Sequence, residues 1–227
     1  MSRETVNPAA PHPRRHYHSP KRAQAALATR RRIRAAAERL FLADGYAPTK
    51  MSAIAKAAGV SEPMIFLAFE TKAALLGEII QVAVRGDDEE ITVSARQAWR
   101  QMLALPAEQL LERFAQGTAA VLGRTARLLA LGEVAADSAS ELAIQRDRGH
   151  AWMRSDFHEV ATALAKRKAL ADTLSTQDAA DTIYAVANGT VYLRLTQNCD
   201  WTPTHYANWL TSTLTATLLK PGPRGRQ

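Results

Sequence analysis

The chain has 227 residues, 47% of them hydrophobic, and a net charge of +7, enough length to bury one large core or a small domain joined to a medium one. No apolar run approaches the roughly 18 to 20 residues of a membrane-spanning helix and the N-terminus lacks an apolar signal core, so a soluble cytoplasmic protein with no membrane partner is expected. Cys199 is the single cysteine, which excludes an intramolecular disulfide and a thiolate-based zinc site within one chain.

The positive charge is concentrated at one end. Arg3, Arg14, Arg15, Lys21, Arg22, Arg30, Arg31, Arg32 and Arg34 face a single acid, Glu4, in the first 34 residues, so this block alone exceeds the charge of the whole chain. Such a block is the footprint expected for a polyanion, nucleic acid or an anionic membrane surface, unless it is a solvated tail. Residues 1–20 are rich in proline and have no apolar period, which reads as a disordered basic arm. His12, His16 and His18 lie there without the cysteine or carboxylate support that a metal site needs.

Beyond the arm, β-branched alternation is scarce and alanine and leucine abound, so the fold class is all-α. A first helix is expected from Lys21 to Asp44, with Ile33, Ala37, Leu40 and Phe41 on one face and Gly45 as its stop. After the turn "GYAPTK" a short helix, Met51–Ala58, buries Met51, Ile54 and Ala55 and ends at Gly59. Ser61 is placed to cap a third helix running from Glu62 to about Phe69, with Pro63 tolerated in its first turn. Thr71 is the expected cap of a fourth, beginning at Lys72 and showing Leu75, Leu76, Ile79, Ile80 and Ala83. The run "GDDEE" reads as a solvated break. Then come a helical stretch from Ala95 to Leu103, helices beginning near Pro106 and Arg124, and a long one from Glu141 to about Ala171. Thr176–Thr196 and Pro203–Leu219 close the series, and residues 220–227 form a disordered tail.

Two short helices joined by "AAGVS" make a helix-turn-helix, whose second helix can enter a major groove. The stretch "RIRAAAERLFLADGYAPTKMSAIAKAAGVSEPMIFLAFETKAALL", Arg32 to Leu76, closely resembles the N-terminal region of the TetR (tetracycline-repressor) family of transcriptional regulators. The resemblance implies a three-helix DNA-binding domain at 21–71, then a helical ligand-binding and dimerisation domain at 72–219. It implies a homodimer on a palindromic double-stranded DNA operator, responding to a small, largely apolar effector, with repression as the expected sign. The alternative is a dimeric small-molecule-binding or protein-interaction module in which DNA binding has degenerated.

On a helical wheel of residues 62–69, Ile65, Phe69, Glu62 and Phe66 fall on one side and Pro63, Leu67, Met64 and Ala68 on the other. Ile65 and Phe69 match core positions of the family, so the second group is expected to face the groove. Family members commonly carry threonine at the position of Met64, tyrosine at Phe66, and polar or aromatic residues at Leu67 and Ala68. Three consequences compete: reading of thymine methyls, reading of shape by the arm residues Arg14, Arg15, Lys21 and Arg22, or poor sequence specificity. Thr49, Lys50, Lys56, Thr71 and Lys72 are the expected phosphate contacts, and Ser61, Glu62, Pro63 and Phe66 complete the candidate interface.

In the second domain, Trp99, Phe114, Trp152, Met153, Phe157, Tyr184 and Tyr192 are the large side chains able to line an apolar cavity. Asn188, His150, His158 and Gln145 are its candidate polar anchors. The family's dimer is a four-helix bundle of the last two helices. That assigns Ile183, Ala187 and Val191 of one, and Tyr206, Trp209, Leu210, Leu214 and Thr217 of the other, to a partner. Cys199, in "QNCDW", reads as structural unless it is exposed to oxidants. No glycine-rich phosphate loop, GxSxG or HExxH is present, so neither catalysis nor a cofactor or metal is expected.

Overall fold

A computed structural model describes residues 20–137 and 139–221, and no strand occurs among them; Leu170 and Leu219 form one isolated bridge. Helix α1, Pro20–Asp44, ends where Gly45 takes a positive φ of 88°, a backbone conformation that costs glycine little. Helix α2, Met51–Ala58, stops at Gly59, also left-handed, whose N–H returns to carbonyls of its last turn. Helix α3, Glu62–Ala68, comes after Ser61 in extended conformation and ends as Phe69 becomes extended. Helix α4, Lys72–Arg85, is capped by Thr71, whose Oγ1 accepts from the Ala74 N–H at 2.9 Å.

Helices α5, Gln97–Ala104, α6, Ala107–Ala136, and α7, Ser140–Lys166, build the body of the second half. The two helices expected from Pro106 and Arg124 are one helix of 30 residues, because Gly117, Gly123 and Gly132 all keep right-handed φ inside it. The long helix expected to reach Ala171 stops at Lys166, two residues before Lys168 turns left-handed with φ 55°. Helix α8, Thr176–Val186, opens on a reciprocal cap between Ser175 and Asp178. The single helix expected over 176–196 is broken, since Asn188 leaves helical geometry and its Oδ1 accepts from the Val191 N–H at 3.0 Å. That cap starts α9, Gly189–Leu193, which widens into a π turn at Arg194–Asn198 before α10, Pro203–Leu218.

Two cores hold these helices. The first packs Ile33 and Phe41 of α1, Ile54 of α2, Ile65 of α3 and Leu75 and Leu76 of α4, all fully buried. Each such side chain contributes about 1.5–3 kcal/mol of burial free energy. Leu128, Ala135 and Ala136 of α6 and Leu142 of α7 join the same core, so α4 is cemented to both halves. A boundary drawn after residue 71 therefore falls at the cap of a helix that belongs to the first core. The second core gathers Leu110, Leu111, Val160, Leu164, Ile183, Tyr206, Leu210, Leu214 and Leu218.

Candidate nucleic-acid interface and cavity

Ile65 and Phe69 anchor α3, at 0% and 3% exposure, and turn its other residues outward. Met64 is 44% exposed, Phe66 48% and Leu67 88%. Phe66, which the wheel places on the side of Ile65, is therefore a surface residue: one step of about 100° from Ile65 carries it past the edge of the contact. Ala68 is corrected in the opposite sense, being half-buried against the first core. Its carbonyl accepts from Arg30 Nη1 at 2.5 Å, and the same guanidinium lies 4.3 Å from the Phe69 ring centroid. Ser61, Glu62 and Pro63 are exposed at the opening of the helix.

The expected phosphate contacts divide. Lys50 and Lys56 are exposed and make no ion pair among the described residues, and Arg22 is exposed near the start of α1. Thr49 is buried, and its hydroxyl donates to the Gly45 carbonyl at 2.7 Å, so it closes the turn instead of meeting a phosphate. Thr71 spends its hydroxyl twice, accepting from Ala74 and donating to the Glu141 carboxylate at 3.0 Å. Lys72 sits in a cage of carbonyls, donating to Tyr46 at 2.9 Å, Thr49 at 3.1 Å and Ala47 at 3.2 Å, above the Tyr46 ring. Its three donors are engaged, and burial lowers its pKa. Arg14 and Arg15 lie outside the described residues, as does the side chain of Lys21.

Three arginines of the basic block have intramolecular partners. Arg30 and Arg34 converge on the Glu78 carboxylate of α4, Arg34 Nη1 at 2.9 Å, and Arg31 Nε and Arg34 reach Asp88, the former at 2.6 Å. Asp87 takes a bidentate bond from Arg96 at 2.7 and 2.8 Å. Asp87 and Asp88 of the acidic run read as solvated are thus docking points, whereas Glu89 and Glu90 are exposed. The hydrogen bond from Arg96 holds the Asp87 carboxyl below its usual range. At Asp88 burial pushes upward, but the bonds from Arg31 and Arg34 outweigh it and the net shift is downward. Complementary blocks of charge were the signal in the sequence, though nothing in their spacing paired them.

Between α4, α5, α6, α7, α8 and α9 lies a cavity of about 1190 Å³. Trp99, Phe114, Trp152, Met153, Phe157, Tyr184 and Asn188 all line it, with Phe114 and Phe157 in edge-to-face contact at 5.4 Å and Trp152 exposed. Tyr192 does not. It is buried on the far side of α9, edge-on to Tyr206 at 4.9 Å, with its hydroxyl toward Gly123. A polar relay crosses the wall: His150 Nε2 bonds Glu133 at 2.8 Å, and Nδ1 meets the Tyr184 hydroxyl. Because a carboxylate only accepts, neutral His150 carries its proton on Nε2, and Tyr184 donates to Nδ1. Asp156 also faces the cavity; burial raises its pKa, the Ser94 hydroxyl opposes this, and Glu159 adds to it. Among the described residues His158 bonds only Thr162, at 3.4 Å, and it does not line the cavity.

The cavity meets α4 directly. Gln145 of α7 lines it and presses on Gly77, where a Cβ would collide with the Gln145 amide. Glu78, the carboxylate held by Arg30 and Arg34, is a lining residue too.

The residues assigned to a partner are mostly spoken for. Ile183, Tyr206, Leu210 and Leu214 are fully buried and Ala187 nearly so, all in the chain's own second core. These stripes face inward, because a helix with one broad apolar face turns it to its own core first. Val191 and Trp209 are half-buried and Thr217 is exposed. The outward faces of α8 and α10 carry Asp181, Ala185, Asn208, Ser212 and Ala216 instead. Cys199 is exposed. Among the described residues no cluster of three His, Cys, Asp or Glu could hold a metal, and no single helix is long and apolar enough to cross a membrane.

Residues 33–79 match the sequence model of the bacterial regulatory proteins of the tetR family. Among solved structures the chain is similar to NalD, the secondary repressor of the MexAB-OprM multidrug efflux pump in Pseudomonas aeruginosa. That similarity has a TM-score of 0.65 at 22% identity, over 86% of this chain and 98% of that one. A protein from Saccharomonospora viridis in complex with choline superposes with a TM-score of 0.66 at 17% identity, covering 86% and 100% of the two chains. The fatty acid degradation regulator FadR from Bacillus halodurans gives 0.62 at 20%, covering 82% and 97%. These likenesses are of fold. No curated protein matches the sequence.

Proposed function

We propose that this chain, a transcriptional regulator carrying the DNA-binding domain of the TetR family over residues 33–79, works in the cytoplasm as a homodimeric repressor. It occupies a palindromic operator and leaves it when a small, largely apolar molecule enters the cavity. One observation carries the reading: the cavity and the DNA-reading helix share a structural member. Glu78 lines the cavity and binds Arg30, and Arg30 in turn binds the last carbonyl of α3.

A ligand shifts an equilibrium only by its difference in affinity for two states. Here such a difference can arise wherever a ligand fills the space beside Gln145 or approaches Glu78, since both act on α4 and α4 shares a core with α3. The polar relay of Glu133, His150 and Tyr184 supplies fixed hydrogen-bonding groups that orient a ligand in a site that is largely, though not wholly, apolar. Dimerisation would use the outward faces of α8 and α10, where small side chains such as Ser212 and Ala216 permit close helix approach. Two heads about 34 Å apart would then address successive turns of one DNA face.

The experiment is a mobility-shift assay of the purified full-length protein against DNA from its own promoter region, with light scattering to count copies. Retardation by a dimer, relieved by members of a panel of apolar and amphipathic small molecules, is the expected result. Absence of any retarded duplex would overturn it in favour of a dimeric ligand-binding module.

A further inference from the structure

The exposed patch on α3 is the least expected surface of the molecule. Leucines in both cores are buried, whereas Leu67 is 88% exposed, with Met64 and Phe66 about half exposed beside it. None of the three offers a conventional hydrogen bond to a base edge. Yet the patch stands on the second helix of the helix-turn-helix, with Lys50 just before α2 and Lys56 within it both exposed, so the surroundings favour a polyanion over an apolar protein partner.

Within the major groove one base carries an apolar substituent, the 5-methyl of thymine. We propose that α3 selects its operator by packing Leu67, flanked by Met64 and Phe66, against thymine 5-methyl groups, and that it reads 5-methylcytosine as a partial substitute. This rests on the DNA-binding reading of the domain and adds what the head recognises. Ile65 and Phe69 fix the rotation of the helix, so the patch is presented in one orientation and not as a loose greasy tip. The remaining polar groups of the helix opening, Ser61 and Glu62, are left for contacts at one end of the half-site. Burying one methyl is worth about one CH₂ of transfer free energy, which corresponds to about fourfold in affinity per contacted methyl.

The test uses the full-length protein and duplexes selected from a random 30-base-pair library, with affinities read by fluorescence anisotropy at fixed salt. Each thymine of the selected half-site is replaced in turn by uracil, and each thymine–adenine pair by cytosine–guanine and by 5-methylcytosine–guanine. The expected result is about fourfold weaker binding at one to three positions on loss of the methyl. At those positions 5-methylcytosine should restore affinity relative to cytosine. Leu67→Ala, at a surface position that leaves the melting temperature unchanged, should erase the difference between thymine and uracil. Equal binding of thymine and uracil duplexes at every position, with the selected sequence still preferred over a scrambled one, would overturn the methyl reading and leave specific DNA binding standing. Discrimination that survives Leu67→Ala would overturn it as well. Enrichment of no sequence at all would sink both the methyl reading and the DNA-binding assignment on which it rests.

Discussion

Glu78→Gln isolates the link between the cavity and the reading helix. The substitution keeps the shape of the side chain and removes the charge on which Arg30 and Arg34 converge, leaving Asp88 as the carboxylate partner of Arg34 and, for Arg30, the Ala68 carbonyl and the Phe69 ring. An exposed ion pair is worth about 0–1 kcal/mol, and removing one partner of a fully buried pair costs about 3–5 kcal/mol. With side-chain exposures of 24% for Glu78, 11% for Arg34 and 37% for Arg30, the site lies between these limits. A loss of about 1.5–3 kcal/mol is expected, equivalent to roughly 3–12 °C in melting temperature for a chain of this size. Circular dichroism melts measure the loss, and anisotropy on a selected duplex measures the consequence for α3, expected as weaker binding. A double-mutant cycle with Arg34→Met should return a coupling energy above about 0.5 kcal/mol. A Glu78→Gln protein that melts within about 1 °C of the parent and binds DNA equally well would refute the reasoning, because the network would then be surface ornament.

Thr49→Val should cost about 1 kcal/mol through loss of the bond to the Gly45 carbonyl while leaving the salt dependence of DNA binding unchanged. Lys50→Ala and Lys56→Ala should instead each lower the slope of log K against log salt by about 0.9, with no change in melting. Asp156→Asn is expected to stabilise the protein at pH 7. The raised pKa of Asp156 means the folded state holds the proton more tightly, so stability falls as pH rises from the ordinary value of 3.8 through the folded one, and the cost is complete above it. The advantage of the Asn protein in urea melts should therefore vanish in acid, and a constant advantage would exclude the linkage. Tyr206→Phe removes a buried hydroxyl that has no partner among the described residues, so melting should be unchanged or slightly raised. A loss of about 2 kcal/mol would mean that the hydroxyl is bonded after all.

The first four helices were legible because local chemistry marks their ends: Gly45 and Gly59 supply left-handed stops, Thr71 a side-chain cap, and Ile54 and Ile65 fall at helical spacing. The aromatic lining of the cavity was legible in kind, since Phe114, Phe157 and Tyr184 are large apolar residues on helices that must meet. Tyr192 was assigned with them because the period from Tyr184 runs on unbroken through Asn188, and only the cap formed by Asn188 rotates α9 so that Tyr192 points to the other side. Five of the eight residues assigned to a partner, Ile183, Ala187, Tyr206, Leu210 and Leu214, were misplaced for a related reason. An apolar stripe shows that a helix is buried on one side but not by whom, and Ile183, Leu210 and Leu214 are claimed by their own chain. Least legible were the long-range polar contacts. Lys72 and its carbonyls are 23 to 26 residues apart, His150 and Tyr184 34, Arg30 and Glu78 48, and no periodicity spans such distances.

How far the Glu78 link alone could carry a signal is a matter of magnitude. Driving a regulator from one part bound in a hundred to ninety-nine requires about 5.5 kcal/mol of differential ligand affinity. A network worth about 1.5–3 kcal/mol, even if a ligand broke it entirely, would move that equilibrium by only about 10- to 150-fold. The remainder has to come from α4 moving as a body. Its buried residues Ala73, Leu75, Leu76 and Ile79 sit in one core with α3, while Gly77 packs so closely on Gln145 of α7, and Ile80 on Gly132 of α6, that neither helix can press further toward α4 without moving it. On the proposed reading, a ligand that presses α6 or α7 toward α4 would displace α4, and the two arginines on Glu78 would keep α3 in register with that movement rather than generate it.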